Sequence, residues 1–222
     1  MNYPQQTSAE LFIATGCSHC PVVLNELSAQ LKKGHISSLT ITNIAVDNKR
    51  AEELGIRSVP WFSLKNEYSF MIFSGNYTPN EIQQWIGSSQ NKNGMQDYIK
   101  HFLSTGQLVT VSKVVQLFPE NFSSVISLIK DKETNMDIRI GLDALIESLS
   151  GSEILKKYTS SLKEIASSNI ARLQIDALHY IALTGDVRNK EFLQEKTKDK
   201  DQQVQDAAVE ALETLDDLIS KI

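Results

Sequence analysis

The chain has 222 residues, 41% hydrophobic and 22% charged, with five prolines, the composition of a globular protein of one or two domains. Its formal net charge of -5 and the lack of any lysine/arginine cluster argue against nucleic acid as a partner. No apolar stretch nears the roughly 18 residues of a membrane helix, and the polar start has neither the basic nor the apolar region of an uncleaved signal peptide. A cytoplasmic protein with no membrane partner is therefore expected.

From Ala9 the short apolar run Ala-Glu-Leu-Phe-Ile-Ala suits a buried strand. Thr15-Gly16 breaks it, and Cys17-Ser18-His19-Cys20-Pro21 follows. Val22, Val23, Leu24, Leu27 and Leu31 then recur at helical spacing, with Gly34 as the expected C-terminal stop. The β-branched segment from Leu39 to Val46 reads as a second strand. Asp47-Asn48 then caps a short helix ended by Gly55. Pro60 to Leu64 and Ser69 to Phe73 read as two strands of a hairpin. After Gly75, Thr78-Pro-Asn-Glu81 has the pattern of a helix start, for a helix carrying Ile82, Trp85 and Ile86. The order β-α-β-α-β-β-α in about 80 residues suits one small α/β domain.

Ser88 to Gly94 is polar and unpatterned, and reads as a linker. Beyond it strand signals vanish and helical periodicity runs on, including expected helices from Ile154 to Ile165 and Lys190 to Lys196. Three segments look alike: Ile138-Arg-Ile-Gly-Leu-Asp-Ala-Leu145, Ala171-Arg-Leu-Gln-Ile-Asp-Ala-Leu178 and Val204-Gln-Asp-Ala-Ala-Val-Glu-Ala-Leu212. Their period of about 33 to 34 residues is that of stacked helical pairs, and this half resembles short HEAT-like repeats. A generic bundle with amphipathic helices is the alternative. The expected division is 8–88 for the α/β domain, 89–95 for the linker and 96–222 for the all-α repeat domain. A helical array is a binding surface, so a protein client is its expected partner. His101 and His179 have no neighbouring ligand cluster, and Glu210 through Asp217 reads as a solvated helix face.

Both cysteines of the chain lie in one four-residue stretch. A disulfide that staples a fold gains from closing a long loop, so this spacing points to chemistry. At the turn before a helix, Cys17 meets unpaired N–H groups and the positive end of the helix dipole, which favour its thiolate. Cys17 is the expected nucleophile, and Cys20, one turn inside, the resolving thiol. Pro21 costs little there because first-turn N–H groups lack helix partners. An imidazolium at His19 favours the reduced form and makes the disulfide more oxidising, unless His19 is simply a solvated turn residue. Zinc is the competing reading, but a closed site needs four ligands, and two cysteines with His19 and the distant His35 supply them poorly. No metal and no bound cofactor are expected.

Gly55-Ile-Arg-Ser-Val-Pro60-Trp-Phe lies just before a strand, about 40 residues after Cys17. With Cys-x-x-Cys-Pro, this segment resembles the thioredoxin superfamily, and particularly its glutaredoxin-sized members. The resemblance implies a central mixed sheet flanked by helices, with Pro60 cis, packed on the dithiol and excluding metal from it. It also implies that the Val59 backbone pairs with an extended substrate, which gives Ser18, Val59, Trp61 and Gly75 as client-facing residues beside the catalytic set Cys17, Cys20, His19 and Pro60. A trans proline opening an edge strand is the plainer reading of Pro60. The chain departs from thioredoxins proper at Gly16, where they carry tryptophan, and at Ser18-His19. Leu11 occupies the place of their buried acid, while Glu10 points to the opposite face unless the strand slips by one residue.

The expected activity is thiol-disulfide exchange with a protein client carrying a disulfide or dithiol, fed by an unidentified electron donor. The alternatives are a non-catalytic scaffold and a redox sensor, because fold does not fix function.

Overall fold

The first strand, β1 (Ser8–Ile13), is an inner strand covered on both faces, with the adjacent Leu11 and Phe12 fully buried. It pairs in parallel with β2 (Ser38–Asn43) and antiparallel with β3 (Trp61–Lys65), which pairs antiparallel with β4 (Phe70–Ser74). The order β2-β1-β3-β4 is thus a four-stranded mixed sheet. The computed structural model describes residues 7–221, which separate into two units, one ending at Ile99 and one beginning at Lys100.

In the first unit, α1 (Cys20–Lys32) connects β1 to β2, as a parallel pair requires. Its last turn closes as expected: Gly34 takes φ +76°, and the His35 N–H donates to the Gln30 carbonyl at 3.0 Å. The buried stripe of α1 is narrower than its periodicity suggests, because Val23 and Leu27 are buried whereas Val22 and Leu31 are exposed. β2 is also shorter than expected. Asn43 accepts from the N–H groups of Val46 and Asp47 through its carbonyl, and from that of Ala45 through Oδ1, so the chain turns where β-branched residues promised more strand.

The short helix α2 (Lys49–Glu53) precedes Gly55, and α3 (Pro79–Ser89) opens on a complete capping box. There the Glu81 N–H donates to Thr78 Oγ1 and the Thr78 N–H to Glu81 Oε2. The helices α1 and α3 pack together, with Gln83 Nε2 donating to Glu26 Oε1 at 2.8 Å.

Residues 89–95 hold the last residue of α3, a short turn and the start of α4 (Gly94–Ser104). Tyr98 on α4 belongs to the first unit. Its buried hydroxyl donates to the Ile72 carbonyl at 2.6 Å and accepts from the Ile72 N–H at 3.3 Å, which closes the outer edge of β4. Burial holds this phenol well above its ordinary pKa, so it stays neutral and can play both parts. A second hub is buried Asn66, whose Oδ1 accepts from Tyr68 N, Ser69 N and Ser69 Oγ while Nδ2 donates to the Ser89 carbonyl.

The second unit is helical: after α4 come α5 (Leu108–Leu117), α6 (Phe122–Lys130), α7 (Met136–Ser148), α8 (Glu153–Lys157), α9 (Thr159–Ala166), α10 (Ala171–Leu183), α11 (Lys190–Lys196) and α12 (Gln202–Ile219). The helix expected from Ile154 to Ile165 is two, α8 and α9, meeting at Tyr158. Buried Ala177 on α10 and buried Ala208 and Ala211 on α12 leave room for these two helices to pack closely. Arg139 and Arg172, 33 residues apart, both donate to carbonyls of the loop before α7. Arg139 also pairs with Asp176, at 3.5 Å, on α10.

Candidate functional site

The first cysteine is placed by a tight turn. The Cys17 N–H donates to the Ala14 carbonyl at 3.2 Å, and Gly16 inside that turn takes φ +80°, a conformation side chains disfavour. Ser18 and His19 follow, both exposed, with His19 as the N-cap residue of α1 and Pro21 in its first turn. Cys17 and Cys20 are joined by a disulfide, with their Cα atoms 5.5 Å apart. The two sulfurs are not equivalent. Cys20 is 4% exposed, whereas Cys17 is partly exposed and its Sγ accepts from the Cys20 N–H at 3.1 Å. An N–H at a helix start, aimed at one sulfur, stabilises negative charge on that atom more than on its neighbour.

Strand register gathers the other candidates. Phe12 lies opposite Trp61, Trp61 opposite Ser74, and Ile13 beside Asn43. The loop of Cys17, the Val59–Pro60 segment and Gly75 therefore all leave the sheet at the same end. The Val59–Pro60 peptide is cis. The Pro60 carbonyl accepts from the Gly75 N–H at 3.0 Å, where Gly75 has φ +101°, and Ser58 and Ser74 join by their hydroxyls at 3.0 Å. Val59 is half-buried and Pro60 buried.

Trp61 requires a correction. Its ring is 3% exposed and packs edge-on against Phe12 at 5.4 Å, so the indole belongs to the core and offers no surface to a client. Directly opposite Phe12 in the β1–β3 pairing, its side chain falls on the same face of the sheet as that buried ring. Glu10 is also settled. No register slip occurs: Leu11 is the fully buried residue, and Glu10 reaches Arg50 on α2 at 3.6 Å.

Residues that patterning overlooked tie the site together. Asn43 Nδ2 donates to Thr15 Oγ1 at 3.2 Å, linking the turn after β2 to the loop of Cys17. Tyr77, just past Gly75, stacks edge-on against Phe62 and Phe73, and burial with the nearby Glu81 charge pushes its hydroxyl up to about 12. An asparagine ending a β-branched run was the one available signal, since such residues favour turns over strand.

Among the described residues, no group of three or more His, Cys, Asp or Glu side chains is placed to hold a metal ion, and no helix is long and apolar enough to cross a membrane. No protein-family model matches the chain, and no curated protein matches it.

Proposed function

We propose that the chain is a thiol-disulfide oxidoreductase whose first unit is a thioredoxin-like domain of glutaredoxin size. The observation that carries this reading is the asymmetric Cys17–Cys20 pair at the start of α1, with an N–H aimed at the more exposed sulfur. Supporting it are the β2-β1-β3-β4 sheet and the emergence of Val59-Pro60 at the same end as the dithiol.

In the reductive direction, the Cys17 thiolate attacks one sulfur of a client disulfide. A Cys17–client mixed disulfide forms and the client's other sulfur leaves as a thiolate, which takes a proton. Cys20 then loses its proton and attacks Cys17 Sγ, closing the Cys17–Cys20 disulfide and releasing the client as a dithiol. Two electrons pass from protein to client, and an external dithiol donor restores the pair. With Glu10 engaged by Arg50, water is the acceptor we assign for the Cys20 proton.

The second unit we read as HEAT-like repeats that select the client. In a reducing compartment such as the cytoplasm the Cys17–Cys20 pair acts as a reductant. Cys20→Ser tests the scheme: incubated with a protein disulfide substrate such as insulin, this variant accumulates a mixed disulfide on Cys17 that dithiothreitol releases. Failure to trap any adduct, together with no turnover by the unaltered chain, refutes the enzyme and favours a scaffold.

A further inference from the structure

No residue between Ile13 and Cys20 is buried, so packing does not hold the loop that carries Cys17. Gly16, at φ +80°, puts a residue of wide conformational freedom directly before the cysteine. With the disulfide closed, the bond to Cys20 on α1 confines this loop. With it open, two hydrogen bonds hold the loop's first half. One is internal, from the Cys17 N–H to the Ala14 carbonyl. The other runs from Asn43 Nδ2 to Thr15 Oγ1, and among the described residues no other side chain outside the loop hydrogen-bonds to residues 14–19. Asn43 is itself firmly held. Its carbonyl accepts from the Val46 and Asp47 N–H groups at 2.9 and 3.0 Å, and its Oδ1 from the Ala45 N–H at 3.1 Å. The last of these bonds settles which end of the amide donates, and leaves Nδ2 for Thr15.

We propose that Asn43 is a positioning residue for the dithiol, acting through Thr15 to hold Cys17 beside Cys20 once their disulfide has opened. The inference rests on the redox role proposed for the pair. A tether that keeps one thiol near the other raises their effective concentration and favours closure. The same result follows from the closed form. There the S–S bond has already confined the loop, so the tether forms at little further entropic cost, whereas in the dithiol it must first order the loop. The tether therefore stabilises the disulfide more than the dithiol, and by linkage its loss makes the pair easier to reduce.

The test is the equilibrium between the full chain and defined ratios of reduced and oxidised dithiothreitol, read as alkylatable thiols. In Thr15→Val and in Asn43→Ala the equilibrium constant for reduction rises by about twofold to fivefold, the lower part of the range of one net hydrogen bond, since this one is exposed. The double variant goes no further than Asn43→Ala alone, because both changes break one bond. Thr15→Ser keeps the hydroxyl and stays at the value of the unaltered chain. Ser58→Ala, which breaks the Ser58–Ser74 hydroxyl bond at the same end of the sheet, stays there too. A reversible transition that Thr15→Val leaves unmoved, or moves the other way, overturns this inference alone. An equal shift in Ser58→Ala does the same. An unaltered chain with no reversible transition overturns the redox role, and this inference with it.

Discussion

Replacing Tyr98 by phenylalanine removes one oxygen and keeps the ring that packs edge-on against Phe73 and Trp85, each at 5.6 Å. The lost hydroxyl both donates to the Ile72 carbonyl and accepts from the Ile72 N–H, at a fully buried position. Leaving a buried donor or acceptor unsatisfied costs about 1–3 kcal/mol each. The variant also avoids desolvating its own hydroxyl, so a net loss of about 2–3 kcal/mol is expected. The chain's two tryptophans, Trp61 and Trp85, both lie in the first unit, so their fluorescence follows its unfolding alone. With a urea dependence near the middle of about 1–3 kcal/mol per molar, the midpoint falls by about 1–1.5 M. A shift below about 0.3 M, at unchanged slope, refutes the assignment of Tyr98 as the group that closes the β4 edge.

Thr78→Ala breaks the capping box at the start of α3 and is expected to cost about 0.5–2 kcal/mol, read in the same fluorescence titration. Arg139→Met removes the side-chain donor to the Thr134 carbonyl and one of the two donors to the Asp131 carbonyl, which keeps the Thr134 N–H, and leaves Asp176 without its nearest cation. Because Asp176 keeps some contact with solvent, the expected loss is about 2–3 kcal/mol, below that of a fully buried pair, measured by circular dichroism at 222 nm. Burial, and then the Asp143 charge, raise the Asp176 carboxyl above its ordinary value, with Arg139 opposing. A raised folded value means that the group's stability contribution is full below the unfolded value of about 4 and is lost as pH rises through the folded one. The stability of the unaltered chain relative to Asp176→Asn should therefore fall between about pH 4 and neutrality, and a difference that rises across that window contradicts the raised value.

Much of the first unit was legible because its signals are local. Thr78 and Glu81 spell a capping box, Gly34 a helix stop, and the Thr15-Gly16 break a turn that only a left-handed residue completes. The parts that escaped depend on tertiary contact. Trp61 looked like a client-facing residue beside Pro60 until strand pairing turned its ring towards Phe12. Asn43 ends β2 early because its carbonyl and side chain capture three N–H groups, which β-branched neighbours disguise. Tyr98 lies far along the chain from Ile72, and no periodicity links the two. In the helical unit the 33-residue spacing of Arg139 and Arg172 was visible. That Arg139 reaches across to Asp176 could be known only once α7 and α10 were packed.

The dithiol is tested most directly by titrating the full chain against defined ratios of reduced and oxidised dithiothreitol and counting alkylatable thiols at each point. The expected result is one reversible transition between zero and two free thiols, following a two-electron slope of about 30 mV per tenfold change in ratio, and absent in Cys17→Ser. Two thiols that alkylate independently at every ratio, never pairing reversibly, contradict the assignment of Cys17 and Cys20 as a redox couple.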